Sequence, residues 1–322
     1  MTAIRVGFIG AGTIARVHLR ALAAFDDVQV VAVTSRGADS AGRLAESVGG
    51  RAYPDYLSMF DRAELDAVFI CVTPDGHGEA ELAAIDRGIG LFVEKPVGLD
   101  ERVPARIAER IRETGIVSCV GYQWRYLEVV DRARELLGIH PPQMITGAWL
   151  GDTPGVKWWT RSSLSGGQIV EQATHIFDLA RYLAGEMEPV SATGRRVARP
   201  AYPDSDILDV TQTSLRFASG AIGSIETTCL LDGPRKVVIE TVSDGLRLTL
   251  EVLDHRLVVQ HGSQTATHRT PSTFDTPYEA QDRAFIDAVQ GKPNRIRSPY
   301  DDALLTHRVT LMASRLASAS AD

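Results

Sequence analysis

The sequence predicts an α/β domain built on a parallel sheet, followed by an α+β domain built on a large, mainly antiparallel open sheet. Three observations predict it. Up to residue 121, short apolar runs rich in β-branched residues alternate with amphipathic helical stretches, as strands covered on both faces require. Beyond it, strand-like runs follow one another closely with Gly, Pro and Asp between them, which suits hairpins. And 322 residues, 44 % of them hydrophobic, exceed the roughly 100–200 residues of one ordinary domain. The division is placed between 1–121 and 122–322.

In the first part, strands are expected at 4–9, 28–33, 66–72, 89–93 and 116–120. Helices are expected between them at 13–24, 40–48, 78–87 and 101–114. A helix at 131–137 then ends at Pro141-Pro142, and a strand follows at 144–150. Residues 168–184 read as one helix. Ile169, Ala173, Ile176, Ala180 and Leu183 form its apolar stripe. Six strands are expected at 190–198, 208–217, 221–229, 236–241, 246–252 and 256–260, with Ala218-Ser219-Gly220 as a turn. Helices at 278–289 and 300–317 close the chain.

Composition narrows the function classes. Lys plus Arg number 34 and Asp plus Glu 41, a net charge of −7, which argues against nucleic acid as a partner. No run approaches the ~18 apolar residues of a membrane span. The apolar 4–14 stretch is broken by Arg5 and glycines, so it reads as a strand and turn, not a signal peptide. Cys71, Cys119 and Cys229 are odd in number, far apart and in no CxxC, so neither disulfides nor a metal site is expected, and a cytoplasmic location is.

The first strand runs into Gly10-Ala11-Gly12-Thr13-Ile14-Ala15, a G-x-G-x-x-A turn opening a helix. Gly10 permits the tight turn, Gly12 the close approach of a pyrophosphate, and Ala15 the packing of helix on strand; the helix N-terminus offers free N–H groups to phosphate. This predicts a Rossmann-type dinucleotide site. The second strand ends in Thr34-Ser35-Arg36, without the carboxylate that would bind an NAD ribose. Ser35 and Arg36 suit a 2′-phosphate, so NADP is favoured over NAD; Arg36 also reads as a solvated loop residue. The fourth strand ends in Glu94-Lys95-Pro96, which puts Lys95 at the carboxyl edge of the sheet, where a nicotinamide ring would lie.

Glu171, His175 and Asp178 stand at i, i+4 and i+7 on the 168–184 helix and share a face apart from its apolar stripe. That face reads either as a solvated polar surface or as alcohol-oxidation chemistry, in which histidine takes a hydroxyl proton near neutral pH. Lys157-Trp158-Trp159-Thr160-Arg161 precedes it. The tryptophans could stack on sugar faces or pack in a core or interface. Arg125 reads as a pocket residue or a domain-joining ion pair.

The fingerprint, then Thr73-Pro74-Asp75-Gly76-His77, Glu94-Lys95-Pro96, Gly121-Tyr122-Gln123-Trp124-Arg125-Tyr126, and Gly166-Gly167-Gln168-Ile169-Val170-Glu171 with His175 and Asp178, resemble the glucose–fructose oxidoreductase / inositol dehydrogenase / MocA family over nearly the whole chain. The late Phe285-Ile286-Asp287-Ala288 segment matches too. The resemblance implies cofactor contacts by Thr73, Pro74, His77, Glu94 and Gln123. It implies that His175 is the acid/base, that Lys95 polarises the reacting oxygen, and that Glu171 and Asp178 bind hydroxyls or tune the histidine. Arg125 and Trp158 are the further candidates for the substrate pocket. The family often carries aspartate where this chain has Glu171. The implied activity is hydride transfer between a nicotinamide cofactor and a sugar, inositol or related polyol, in a homodimer or homotetramer. A hydrolase or lyase working by transient oxidation, and a non-catalytic dinucleotide sensor, are the alternatives.

Overall fold

The computed structural model describes residues 3–271 and 273–321. The chain forms two compact units: Met1–Gln123 with Thr273–Leu304, and Trp124–Ser272 with Leu305–Asp322. The sequence reading places a single cut between 121 and 122. The return of 273–304 is a feature that no linker signal in the sequence marks. Its cause is burial: Phe285 and Ile286 are fully buried against the strands of the first sheet, in the same cluster as Phe69 and Phe92.

The first unit holds six parallel strands, β1 (Ile4–Ile9), β2 (Val28–Thr34), β3 (Arg51–Tyr53), β4 (Ala67–Ile70), β5 (Gly90–Val93) and β6 (Ser118–Val120), in the order β3-β2-β1-β4-β5-β6. Successive side chains alternate between two cores. Val6, Phe8, Phe69 and Phe92 face one, with Leu19, Leu44 and Phe285; Val68, Ile70, Leu91 and Val93 face the other, with Met59, Ile107 and Leu304. Burial of both faces is why the strands read as continuous apolar runs. The three-residue β3 and the helix Tyr56–Arg62 lie outside the expected elements. A strand that short shows no periodicity, though the helix carries a start signal in Asp55, which accepts the Ser58 N–H at 2.6 Å.

The second unit is an eight-stranded sheet. Its strands are β7 (Met144–Leu150), β8 (Met187–Arg195), β9 (Val210–Phe217), β10 (Ile222–Thr228), β11 (Lys236–Ser243), β12 (Leu246–Glu251), β13 (Arg256–His261) and β14 (Gln264–Arg269), in the order β14-β13-β12-β11-β7-β10-β9-β8. All neighbours are antiparallel except β7 and β10. One face, with Ile145, Trp149, Ile225, Ile239 and Leu248, packs on Ile176, Ala180 and Leu183. The mostly polar, exposed β14 also went beyond the expected strands; it is an edge strand with no buried face to impose an apolar pattern.

The expected single helix over 168–184 is two helices, Gly167–Glu171 and Thr174–Ala184. The Gln168 carbonyl accepts both the Gln172 N–H at 3.1 Å and the Ala173 N–H at 2.8 Å, so the turn widens and the chain restarts. The 3.6-residue spacing that put Glu171 on one face with His175 and Asp178 therefore does not carry across it.

Candidate active site

In the first unit, a cavity of about 610 Å³ opens at the carboxyl edge of the sheet, where strand order reverses between β1 and β4. That reversal leaves a crevice in which open α/β sheets bind ligands. Gly10, Ala11 and Gly12 form its floor; Ser35, Arg36, Asp55, Tyr56, Thr73, Asp75 and His77 also line it. Gly10 has φ +103°, and a Cβ there would lie 2.1 Å from the Cys71 carbonyl oxygen, so the protein itself requires this glycine. Gly12 is different. A Cβ there meets nothing within 4 Å, and as the N-cap of helix Thr13–Leu22 it provides no side-chain cap for the first amides. Open space beside uncapped N–H donors suits an anionic group, so these residues fit a dinucleotide pyrophosphate.

Arg36 is 80 % exposed at the rim, with Nη2 donating to Thr73 Oγ1 at 3.0 Å and Nη1 3.8 Å from Asp75. Ser35 also lines the cavity. Asp55, Asp75 and Glu79 are the acidic residues on this wall, and none lies at the end of β2. Thr13, Ile14 and Pro74 lie outside the cavity wall, and Ala15 is fully buried, as close packing of helix on strand requires.

Several residues expected at the cofactor are turned to other partners. Glu94 is 4 % exposed and accepts from His18 Nε2 at 3.0 Å, so its carboxylate points into the protein. The His77 side chain is buried with Nδ1 2.6 Å from Glu81, although the residue borders the cavity. Gln123 is buried and donates to the Tyr278 hydroxyl at 3.1 Å. In each case a polar side chain in a motif satisfies a buried partner, which its position in the motif does not reveal. Lys95 is half-buried and follows directly on the strand end.

In the second unit, His175 is 7 % exposed, its ring 4.8 Å from that of Trp124 and stacked at 6.2 Å on that of Trp149. The solvated-face reading does not hold. Asp178 is 1 % exposed and takes both Nε and Nη2 of the buried Arg125, at 2.7 and 2.5 Å, with the Thr306 hydroxyl at 2.9 Å. Arg125 also lies over the Tyr182 ring, 4.7 Å from its centroid. These groups are spent on each other: the expected pocket roles of Arg125 and Asp178 give way to a bidentate ion pair inside this unit. Glu171 accepts from Trp159 Nε1 at 2.6 Å. Trp159 is therefore the anchored core tryptophan, and Trp158 is the partly exposed one beside it.

His18 and Asp282 are the polar groups near the strand ends that motif reading passed over. His18 is fully buried, with Nδ1 2.8 Å from Asp282 and Nε2 3.0 Å from Glu94. Burial alone would lower the affinity of His18 for its proton, but the Asp282 and Glu94 carboxylates outweigh it and raise its pKa to about 10. Burial also pushes the Asp282 carboxyl up, against the pull of His18; on both counts the pair retains a proton. The signal was present: His18 interrupts the apolar stripe of Ala15, Leu19 and Leu22, and Asp282 that of Tyr278 and Phe285.

Taken together, the doubly wound sheet, the glycine turn at its switch point and the lysine at the neighbouring strand end define a dinucleotide-dependent oxidoreductase. Residues 4–122 match the oxidoreductase family with an NAD-binding Rossmann fold, and residues 139–259 match the GFO/IDH/MocA C-terminal domain. The chain belongs to the GFO/IDH/MocA family. Among its relatives, the inositol 2-dehydrogenase of Rhizobium meliloti is 33 % identical over 228 residues, covering 67 % of this chain and 66 % of that one. The myo-inositol 2-dehydrogenase of Thermotoga maritima is 27 % identical over 230 residues, 70 % and 68 % of the two chains. A levoglucosan dehydrogenase solved with NADH and L-sorbose superposes with a TM-score of 0.90 at 21 % identity, covering 100 % and 98 %, and shares the fold. The protein is thus an oxidoreductase that uses a nicotinamide cofactor and acts on a CH–OH group.

Proposed function

We propose that the protein oxidises a hydroxyl of a sugar, inositol or related polyol, or reduces the matching ketone, with His175 exchanging the hydroxyl proton and Lys95 holding the reacting oxygen. The observation that carries this reading is the Gly10–Gly12 cavity at the sheet's switch point, with Lys95 leaving the end of the neighbouring β5. When bound, the nicotinamide accepts or gives the hydride. The chain supplies the rest. Uncapped amides of helix Thr13–Leu22 hold the pyrophosphate. The Lys95 ammonium stabilises charge developing on the substrate oxygen, and the His175 imidazole, packed against the Trp124–Trp149 pair, takes its proton. Glu171 and Trp158 contribute to hydroxyl and ring recognition.

The cofactor is NADP in this reading, because β2 ends without a carboxylate and the exposed Arg36 guanidinium sits at the cavity rim; the solved relative was bound to NADH. The outer face of the eight-stranded sheet is a subunit interface of a homodimer or homotetramer. Its Thr146, Ala148, Ser224, Val238 and Val258 are small or β-branched and only partly buried, beside Glu226 and Glu240, a face that a second sheet covers in this reading. Light scattering that finds a monomer at micromolar concentration refutes the interface. A steady-state screen of polyols, sugars and sugar acids with both cofactors tests the activity. Net change in nicotinamide absorbance with a polyol supports it. Turnover without such change, in protein that purifies with bound cofactor, overturns it in favour of transient oxidation.

A further inference from the structure

The His18–Asp282–Glu94 network is buried and is absent from the roles above, yet it ends on the backbone of Lys95. Glu94 is bound at both oxygens: Oε1 by His18 Nε2 at 3.0 Å, and Oε2 by the Lys95 N–H at 3.2 Å. The chain crosses it closely, since a Cβ on Gly121 would lie 2.3 Å from Oε1. His18 is clamped from the other side by both Asp282 oxygens, at 3.0 and 2.8 Å, and its ring meets Phe92 edge-on at 4.8 Å and Tyr278 at 5.7 Å. Both ring nitrogens thus face carboxylates. A neutral imidazole has one N–H donor, so the arrangement is satisfied only while the network keeps an extra proton. Three elements are joined in this way: the helix that follows the glycine turn, the late helix Thr276–Val289, and the strand end that bears Lys95.

We propose that His18 and Asp282 are positioning residues for Lys95: by fixing the Glu94 carboxylate, they fix the backbone from which the Lys95 side chain starts. The inference rests on the proposed role of Lys95 in the reaction. An error of about 1 Å in the placement of a reacting group lowers rate by up to about a hundredfold. A buried three-residue clamp is a direct means of preventing it. The glycine turn needs no such clamp, because it is held by its own backbone bonds, Gly10 N–H to the Thr34 carbonyl and Cys71 N–H to the Ile9 carbonyl, both 2.8 Å.

The test compares His18→Gln, which keeps one donor, His18→Leu, which keeps none, and Asp282→Asn, alongside Lys95→Ala. Turnover is expressed per cofactor site, counted by fluorescence titration, so that misfolded protein does not enter kcat. The expected result is a graded fall in kcat, smaller for His18→Gln and roughly ten- to a hundredfold for His18→Leu, with cofactor Kd within about threefold, under a kcal/mol. Unchanged kcat per site in folded His18→Gln and Asp282→Asn, with Lys95→Ala impaired, overturns the positioning role alone. A fully active Lys95→Ala overturns the reading of the site as well. Equal losses of kcat and cofactor affinity would assign the network to cofactor binding and overturn the proposal. If the leucine variant does not fold, the isosteric Asp282→Asn carries the same comparison.

Discussion

Gly10 and Gly12 are glycines for opposite reasons, and their alanine variants should separate folding from cofactor binding. At Gly10, φ is +103° and the added methyl would lie 2.1 Å from the Cys71 carbonyl oxygen. That carbonyl is backbone. Cys71 N–H is bonded to the Ile9 carbonyl and Gly10 N–H to the Thr34 carbonyl, each at 2.8 Å, so neither side retreats without loosening the sheet. A left-handed backbone costs an L-residue about 1–2 kcal/mol. Overpacking adds about 1–3 kcal/mol. Gly10→Ala should therefore lose about 2–5 kcal/mol, a large part of the ~5–15 kcal/mol that stabilises an ordinary fold. At Gly12, φ is −79° and ψ −168°, extended backbone that any residue adopts, and the methyl meets nothing within 4 Å. Gly12→Ala should change stability by less than about 0.5 kcal/mol. Its methyl nevertheless occupies the space a pyrophosphate needs, and cofactor affinity should fall at least about tenfold, or ~1.4 kcal/mol. Urea unfolding without cofactor and fluorescence titration with it read the two effects separately. The reasoning is refuted if Gly12→Ala unfolds as early as Gly10→Ala, or binds cofactor with the parent Kd.

Four further predictions follow from the same geometry. Lys95→Ala and His175→Ala should each lower kcat by about 10²–10⁴ while cofactor Kd stays nearly constant; full activity in either removes that residue from the chemistry. Arg36→Ala should weaken NADP by about 1.5–3 kcal/mol, roughly ten- to a hundredfold, and leave NAD nearly unchanged; calorimetry showing tighter NAD binding by the parent protein contradicts the cofactor preference. Asp178→Asn removes the negative charge that faces the buried Arg125 guanidinium and should cost about 3–5 kcal/mol, seen as a lower Tm, whereas an unchanged Tm would mean the pair is dispensable. For His18, burial works against the proton and Asp282 and Glu94 overcome it, so the folded pKa of about 10 lies above the ordinary 6.5. Its contribution to stability is then full below about pH 6.5 and lost as pH rises through about 10; the stability gap between parent and His18→Gln should narrow over that window, and a constant gap would contradict it.

The order of strands and helices in the first unit, apart from β3 and the helix Tyr56–Arg62, together with the glycine turn and the Lys95 corner, was legible in the sequence because each is a local pattern. Both faces of the parallel sheet are buried, so Val28–Thr34 and Gly90–Val93 read as apolar runs, and the tight turn needs glycine at 10 for its positive φ. Tertiary structure decided what the polar side chains do. Glu94 and Asp178 stand in motifs that suggest a ligand, yet each is consumed by a partner far away in the chain or on another element: His18, 76 residues before Glu94, and Arg125, 53 before Asp178. Spacing cannot report such pairs, because a buried carboxylate is satisfied by whatever cation the packing brings to it. The break at Gln172–Ala173 was hidden for a related reason: the apolar stripe continues through Ile169, Ala173 and Ile176, all buried, although the backbone between them restarts. The return of Thr273–Leu304 to the first unit was equally invisible, since Phe285 and Ile286 mark an apolar helix face and only the packed sheet determines which core receives it.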